Sequence, residues 1–446
     1  MTSLITRNLL LQAEDLLAHF PAIVIQGARQ VGKSTLASMV AGSRPHVVVS
    51  FDDDDVRESA RLDPRAFVRQ AGEGLLVIDE VQREPSVLLA IKSAIDADRR
   101  PGRFLITGSS DLLRLSRSPD SLAGRAVTLD LFGLSQGELT GRKEDFAHWV
   151  RTANGALTGA GHGWSREQYV QAILHGGYPE IQRLPDRLHG TWFDSYLDRV
   201  ITRDVADVSR GLSSDRLAAV LRMVAANQGG ELVQARLSDE LSIPRSSVSG
   251  YLNALSTMYL THDLPPWRAN LTKREVGRHK VAVADSGLAT RLSKLRATQL
   301  SQLTSAPLLG AQLEAFVVAQ LMAQRGWSAE EFELFHFRDR DGLEVDVVIE
   351  FADGRVFLIE VKASSTFRAE HSRGIRALAQ RLGDRFLGGA VLGLTEETRQ
   401  LTEQVWGLPI SALWEHPQAS DHPGARVRRL TAHDPHPTLH RQENGG

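Results

Sequence analysis

The chain has 446 residues, enough for two to four domains that each bury a core. Its 52 Lys and Arg against 54 Asp and Glu give a net charge of −2, which excludes a global nucleic-acid coat or membrane-surface field and leaves only local binding patches. It contains no cysteine, which excludes structural disulfides and Cys-type zinc sites and agrees with a reducing interior.

The first segment, MTSLITRNLLLQAEDLLAHF, is broken by Arg7, Glu14 and Asp15, so it reads as an amphipathic helix rather than a signal peptide. No apolar run approaches the ~18 residues of a membrane span. The expectation is a soluble cytoplasmic protein with no membrane partner.

Residues 22–34, AIVIQGARQVGKS, are a short apolar strand, a loop and the opening of a helix. The loop Gly27, Ala28, Arg29, Gln30, Val31, Gly32, Lys33, Ser34, continuing through Thr35, fits G-x-x-x-x-G-K-[ST]. The glycines let backbone N–H groups wrap phosphate oxygens, Lys33 would reach the β and γ phosphates of ATP, and Ser34 would hold Mg²⁺.

HVVVSFD (46–52) predicts a second strand, and the following DDDD (52–55) reads as a solvated loop rather than a metal site. GLLVIDEVQ (74–82) is a buried parallel-type strand ending in two acids. There Asp79 would hold Mg²⁺ through water and Glu80 would polarise the attacking water. RFLITGSS (103–110) is a strand with a polar end, from which Thr107 or Ser109 would sense the γ-phosphate; the alternative is a helix N-cap by Ser109 or Ser110. Strands in this order are expected of ATPases that activate water with a Glu. Arg125 opens a further strand and either stabilises transition-state charge, in cis or in trans, or pairs with an acid.

Residues 166–210 are helical in pattern and contain the turn HGGYPE (175–180). Trp192, Tyr196, Arg199 and Arg203 fall on one helix face, read as an aromatic docking stripe with snorkelling arginines in preference to a phosphate sensor. LSDELSIPRSSVSGYLNALSTM gives a helix, a turn at Ile243–Pro244 and a second helix exposing Ser246, Ser247 and Ser249. With YLTHDLPPW and KVAVAD as strands this resembles a winged helix-turn-helix. Its wing carries Arg268, Lys273, Arg274, Arg278 and Lys280 against Glu275, with Trp267 beside them. That run either tracks a DNA backbone or is a solvated face of a packing module.

From about residue 300 the pattern is helix, three strands, helix, an α/β core. ADG (352–354) suits a three-residue hairpin loop with Gly354 left-handed. Phe351 then pairs with Arg355, Asp346 with Glu360 and Glu344 with Lys362, so three acids and a lysine share a face. A two-residue loop would split them. Adjacent carboxylates with oxygen-only donors select Mg²⁺ or Mn²⁺, and Lys362 beside them would orient water or stabilise a pentavalent phosphate.

Helix Glu314, then Asp346, then Glu360-x-Lys362 resembles the PD-(D/E)XK nuclease fold, with spacing close to archaeal Holliday junction resolvases. The resemblance implies Glu314, Asp346 and Glu360 as metal ligands and Lys362 as a catalytic residue. Over residues 1–414 the pieces GARQVGKST, VIDEVQREPSVLLAIK, LITGSS, LAGR, GGYPE and EVDVVIE…IEVK resemble a prokaryotic family of AAA-type ATPases with a C-terminal domain of unknown function. That likeness implies ATP binding.

The predicted architecture is therefore α/β. It comprises a P-loop AAA-type domain (1–145), a helical linker (146–210), a winged-helix-like domain (211–295), a restriction-endonuclease-like α/β domain (296–414) and a disordered tail (415–446), whose five histidines lack a rigid frame. The predicted function is a Mg²⁺-dependent ATPase whose nuclease-like C-terminal domain acts on DNA as a metal-dependent endonuclease, with a homo-oligomer as a further expectation. The alternative is a nucleotide-switched binding protein whose nuclease-like domain is catalytically silent.

Overall fold

Five apolar runs pair in parallel in the N-terminal third of the computed structural model, which describes residues 4–110, 122–153, 155–160, 163–204, 211–268 and 277–417. They are β1 (Ala22–Gln26), β2 (His46–Ser50), β3 (Leu75–Asp79), β4 (Phe104–Gly108) and β5 (Ala126–Asp130), in the order β2-β3-β4-β1-β5. Every residue of β1 is buried, as an all-parallel sheet with both faces covered requires. β2, which intervenes between β1 and β3 in sequence, goes to the sheet edge, and β4 inserts between them. The C-terminal ends of β1, β4 and β3 thus lie side by side, the crevice where such sheets bind ligands. The acidic run after β2 is a helix start: Asp53 caps the helix Asp54–Leu62 by accepting from the N–H of Asp55 at 2.9 Å.

Next come three helices, Ser214–Ala226, Gln234–Leu241 and Arg245–Thr257, and an antiparallel ribbon of β6 (Thr261–Leu264) and β7 (Lys280–Val283). Val220, Leu237, Tyr251 and Val283 share one core with Ile23, Leu36 and Leu129 of the parallel-sheet module. β7 runs through Ala284 and Asp285 into the helix Ser286–Leu292.

The C-terminal sheet is mixed, in the order β12-β13-β11-β10-β9-β8. β8 (Phe332–Arg338), β9 (Glu344–Phe351) and β10 (Val356–Lys362) pair antiparallel; β11 (Phe386–Gly393) and β13 (Val405–Pro409) continue in parallel, and β12 (Arg399–Thr402) closes the edge. The hairpin register is the one its loop dictates. Gly354 has φ 79°, Phe351 N–H donates to Arg355 O at 2.9 Å, and Ile359 stands opposite Val347, which sets Glu360 across from Asp346. Ala306–Gln324 is the core helix of this module. Counted from Leu303, it is long and apolar enough to cross a membrane by length and composition, but here it packs Leu313, Phe316 and Val317 into the core that includes Val347 and Ile359.

Two boundaries differ from the sequence reading. The helix Phe146–Thr152 and the helix Arg166–His175, read as linker, bury Phe146, Trp149, Tyr169 and Ile173 in the C-terminal core instead. At the other end His416, placed in the tail, is buried and stacks on Trp149 at 5.2 Å. Residues 418–446, expected to be disordered, lie outside the described residues.

The ribbon is fastened to β8. Trp267 N–H donates to His336 O at 2.6 Å and His336 N–H to Pro265 O at 2.9 Å. Burial pushes the imidazoles of His262, on β6, and His336, on β8, down to about 4. Below pH ~6.5 the unfolded chain takes up these protons and the folded chain does not, so stability is lost as the pH falls toward 4, on the order of 3 kcal/mol for His262. Between pH 7 and 5 the urea midpoint of the wild type should therefore fall more than that of the His262→Gln, His336→Gln double variant. Equal pH dependence would show that these imidazoles are not buried neutral.

Candidate functional site

β1 ends in a loop that no side chain could fill at its first residue. A Cβ on Gly27 would meet Leu131 O at 2.1 Å, and Gly32 takes φ 99° to turn into the helix Lys33–Ala41. Lys33 is buried, and its Nζ donates to Gly27 O (3.0 Å) and Ala28 O (2.8 Å). Ser34 Oγ lies 3.0 Å from both carboxylate oxygens of Asp79, across β4. A hydroxyl facing a carboxylate beside a phosphate-binding loop is an oxygen donor set that fits Mg²⁺.

Thr107 is fully buried and donates to Asp79 Oδ1, so it positions that carboxylate rather than reaching a nucleotide, contrary to its reading as a phosphate sensor. Ser109 Oγ donates to Glu80 Oε2 at 3.0 Å, and Gln82 Nε2 donates to the same oxygen, whereas the backbone a cap at Ser109 or Ser110 would serve lies outside the described residues. Glu80 itself holds φ 57°, a left-handed conformation that aims its side chain off the end of β3. Arg125 makes a two-point pair with Asp96, 2.7 Å and 3.0 Å, and does not line the nucleotide crevice. Of its alternatives, pairing with an acid is the one this conformation shows.

A cavity of about 540 Å³ lies over the loop, lined by Arg29, Gln30, Val31, Gly32 and Thr35 together with Lys33, Ser34, Asp79 and Glu80. Its far wall was not legible as such. Trp192, Tyr196 and Arg199, on the helix Asp186–Arg199, face the loop; the two rings stack 5.2 Å apart at 8°. The stripe read as a docking surface thus walls the phosphate crevice; the Arg203 side chain lies outside the described residues. Pro179, Glu180 and Arg183 complete the wall from the GGYPE turn and the residues after it. That turn is seated by close approach. Gly177 N–H donates to buried Asp285 at 2.7 Å, Gly177 O accepts from Leu134 N–H at 2.6 Å, and a Cβ on Gly177 would come within 2.6 Å of Leu134 O.

The C-terminal acids also converge. Lys362 Nζ is 2.5 Å from Glu360 Oε1 and 3.9 Å from Asp346 Oδ2, and Val361 N–H donates to Asp346 Oδ2 at 2.8 Å. The wing reading of Lys280 as a phosphate contact fails: it is buried, with Nζ 2.6 Å from Glu314, 3.0 Å from Glu344 and 4.0 Å from Asp346. Burial disfavours its charge, but Glu314, Asp346 and Glu344 outweigh burial and raise its pKa. Burial and the Asp346 charge push the Glu314 and Glu360 carboxyls up to about 8. This donor set does not fit Mg²⁺ or Mn²⁺. The ammonium groups of Lys280 and Lys362 lie on the carboxylate oxygens that such an ion would need. Trp267, read as lying beside the basic run, is buried with Phe335 and Phe337. Arg278 is exposed, whereas Lys273, Arg274 and Glu275 lie outside the described residues.

Residues 19–140 match the family described as AAA domain, residues 166–299 a domain of unknown function (DUF8612) and residues 309–413 another (DUF4143). Uncharacterized proteins of Mycobacterium tuberculosis and Mycobacterium bovis are each 28% identical over 347 residues, 78% of this chain and 71% of theirs. Among solved structures, a Walker-type ATPase of Pyrococcus abyssi is 16% identical, with TM-score 0.42 over 65% of this chain and 96% of that one. AMPPCP-bound DnaA of Aquifex aeolicus is 11% identical, with TM-score 0.23 over 56% of this chain and 85% of that one. At these scores neither carries a functional argument. The N-terminal module is of the AAA type, with a P-loop as its nucleotide-binding element.

Lys33→Ala should abolish ATP binding in a calorimetric titration while the circular dichroism spectrum stays unchanged, because among the described residues no other group supplies an ammonium at the loop. Unchanged affinity would remove the phosphate-binding assignment.

Proposed function

We propose that this protein is a Mg²⁺-dependent ATP hydrolase. The observation that carries the reading is that Lys33, Ser34, Asp79 and Glu80 all face one cavity at the ends of β1 and β3. In this reading the loop N–H groups and Lys33 hold the β and γ phosphates, and Ser34 and Asp79 hold Mg²⁺. The bound ion would neutralise charge on the phosphate oxygens. Glu80 orients a water toward the γ-phosphorus and takes its proton as the new P–O bond forms and the bond to the β-phosphate oxygen breaks, giving ADP and phosphate. Ser109 and Gln82 hold Glu80 in place for that role, and Arg199 and Arg183 supply positive charge from the opposite wall.

The rest of the chain is read as the responding part, a nucleotide-switched assembly. The three helices and the ribbon follow winged-helix order. The C-terminal sheet, with Glu314, Asp346, Glu360 and Lys362 together, resembles the PD-(D/E)XK arrangement but is read as non-cleaving, because Lys280 sits among its acids. The wall of the cavity supports the switch reading: the helix Asp186–Arg199 is tied to the helix Ser286–Leu292 by the Asp194–Arg291 pair at 2.8 Å. Contact with DNA phosphates, if the ribbon makes it, falls to Arg268, Arg278 and the segment between them. Its test is a fall of about 0.9 log unit in salt slope for each duplex phosphate contact removed.

Glu80→Gln keeps the shape and loses the base. It should bind ATP like the wild type and release phosphate at least ~100-fold more slowly in a single-turnover assay. Turnover at the wild-type rate would assign the base elsewhere.

A further inference from the structure

The four acids of the C-terminal cluster come from that module alone: Glu314 from its core helix, Glu344 and Asp346 from β9, Glu360 from β10. The cation at their centre does not. Lys280 belongs to the ribbon and is pinned on both sides, paired with Leu264 on β6 and bridged to Glu231. Its side chain is 5% exposed and leads directly into the carboxylates.

We infer that Lys280 is the resident cation of this cluster, so that the acids form a joint locking the ribbon to the C-terminal sheet and take no divalent metal. An ammonium 2.6 Å from Glu314 and 3.0 Å from Glu344 occupies the space an ion bridging those acids and Asp346 would need. Lys362 already covers Glu360 Oε1, and the buried Glu360 Oε2 has no hydrogen-bond donor among the described residues. A hard cation entering here would have to displace both ammonium groups from the carboxylate oxygens they hold. A buried charge is stable only when paired, so joint and cation depend on each other. Because β7 continues into Asp285, which seats the turn walling the nucleotide cavity, the joint sets the C-terminal module against the part of the chain that would feel ATP.

The inference is tested on the nucleotide-free full chain by titration with Mn²⁺, reading free Mn²⁺ by electron paramagnetic resonance. Wild type and Asp346→Asn should give the same curve. Lys280→Met should gain one site, and Lys280→Met, Asp346→Asn should lose it. A wild-type site that Asp346→Asn abolishes would overturn the inference, as would a folded Lys280→Met that gains none. The wild type against Asp346→Asn comparison decides the metal question even if Lys280→Met does not fold. The joint has its own readout: Glu314→Gln should speed hydrogen exchange of the β7 amides at least ~10-fold and leave the Gly27–Ser34 amides unchanged. Unchanged β7 exchange would show that the cluster holds nothing.

Discussion

Asp285 is buried and accepts N–H bonds from Gly177 (2.7 Å) and Leu288 (2.8 Å), so one carboxylate starts the helix Ser286–Leu292 and seats the turn over the nucleotide cavity. Burial pushes this carboxyl up to about 6, with the backbone N–H groups opposing the rise. The arrangement tolerates no bulk. A Cβ on Gly176 would come within 2.4 Å of the Asp285 carboxylate, and Gly177 is packed against Leu134 O. Three distant stretches, around residues 134, 177 and 285, meet there, and the geometry of the cavity wall follows from how closely they approach.

Buried cations elsewhere in the chain are satisfied by the same logic of complete pairing. Arg7 donates to Glu138 at 3.0 Å, to Val31 O at 2.8 Å and to Phe132 O at 2.8 Å, so an N-terminal residue steadies the phosphate loop from below. Lys33 is held by two carbonyls, Lys280 by carboxylates. Exposed pairs such as Arg236 with Glu240 are a different class, screened by solvent and contributing little. The interior charges fix geometry; the surface ones are screened by water and salt.

What the sequence made legible was local. The loop from Gly27 to Ser34 and the acids Asp79 and Glu80 are set by a few residues each, and the register of β9 with β10 follows from a period of two and one left-handed glycine. What stayed hidden depended on contacts far apart in the chain. Lys280 reads as one more base in a basic run, because nothing nearby in sequence announces that Glu314, Glu344 and Asp346 will surround it. Trp192, Tyr196 and Arg199 show a helical stripe, but a stripe does not say what it faces. The wall they form exists only because the GGYPE turn brings that helix back over the loop. HGGYPE was a signal in plain view: two glycines in a turn announce a close approach, though not its partner.

The joint at Lys280 also changes where the chain can be divided. A fragment cut at residue 296, where the periodicity changes, would carry Glu314, Glu344, Asp346 and Glu360 into a core that keeps Lys362 but lacks the Lys280 ammonium. It would also lose Phe146, Trp149, Tyr169 and Ile173, which fill the same core from before the ribbon. The C-terminal module is therefore discontinuous along the chain. Any recombination that transplants it into another scaffold has to bring the ribbon lysine and the helices of residues 146–175 with it, so these parts have to move as a set although the sequence writes them far apart.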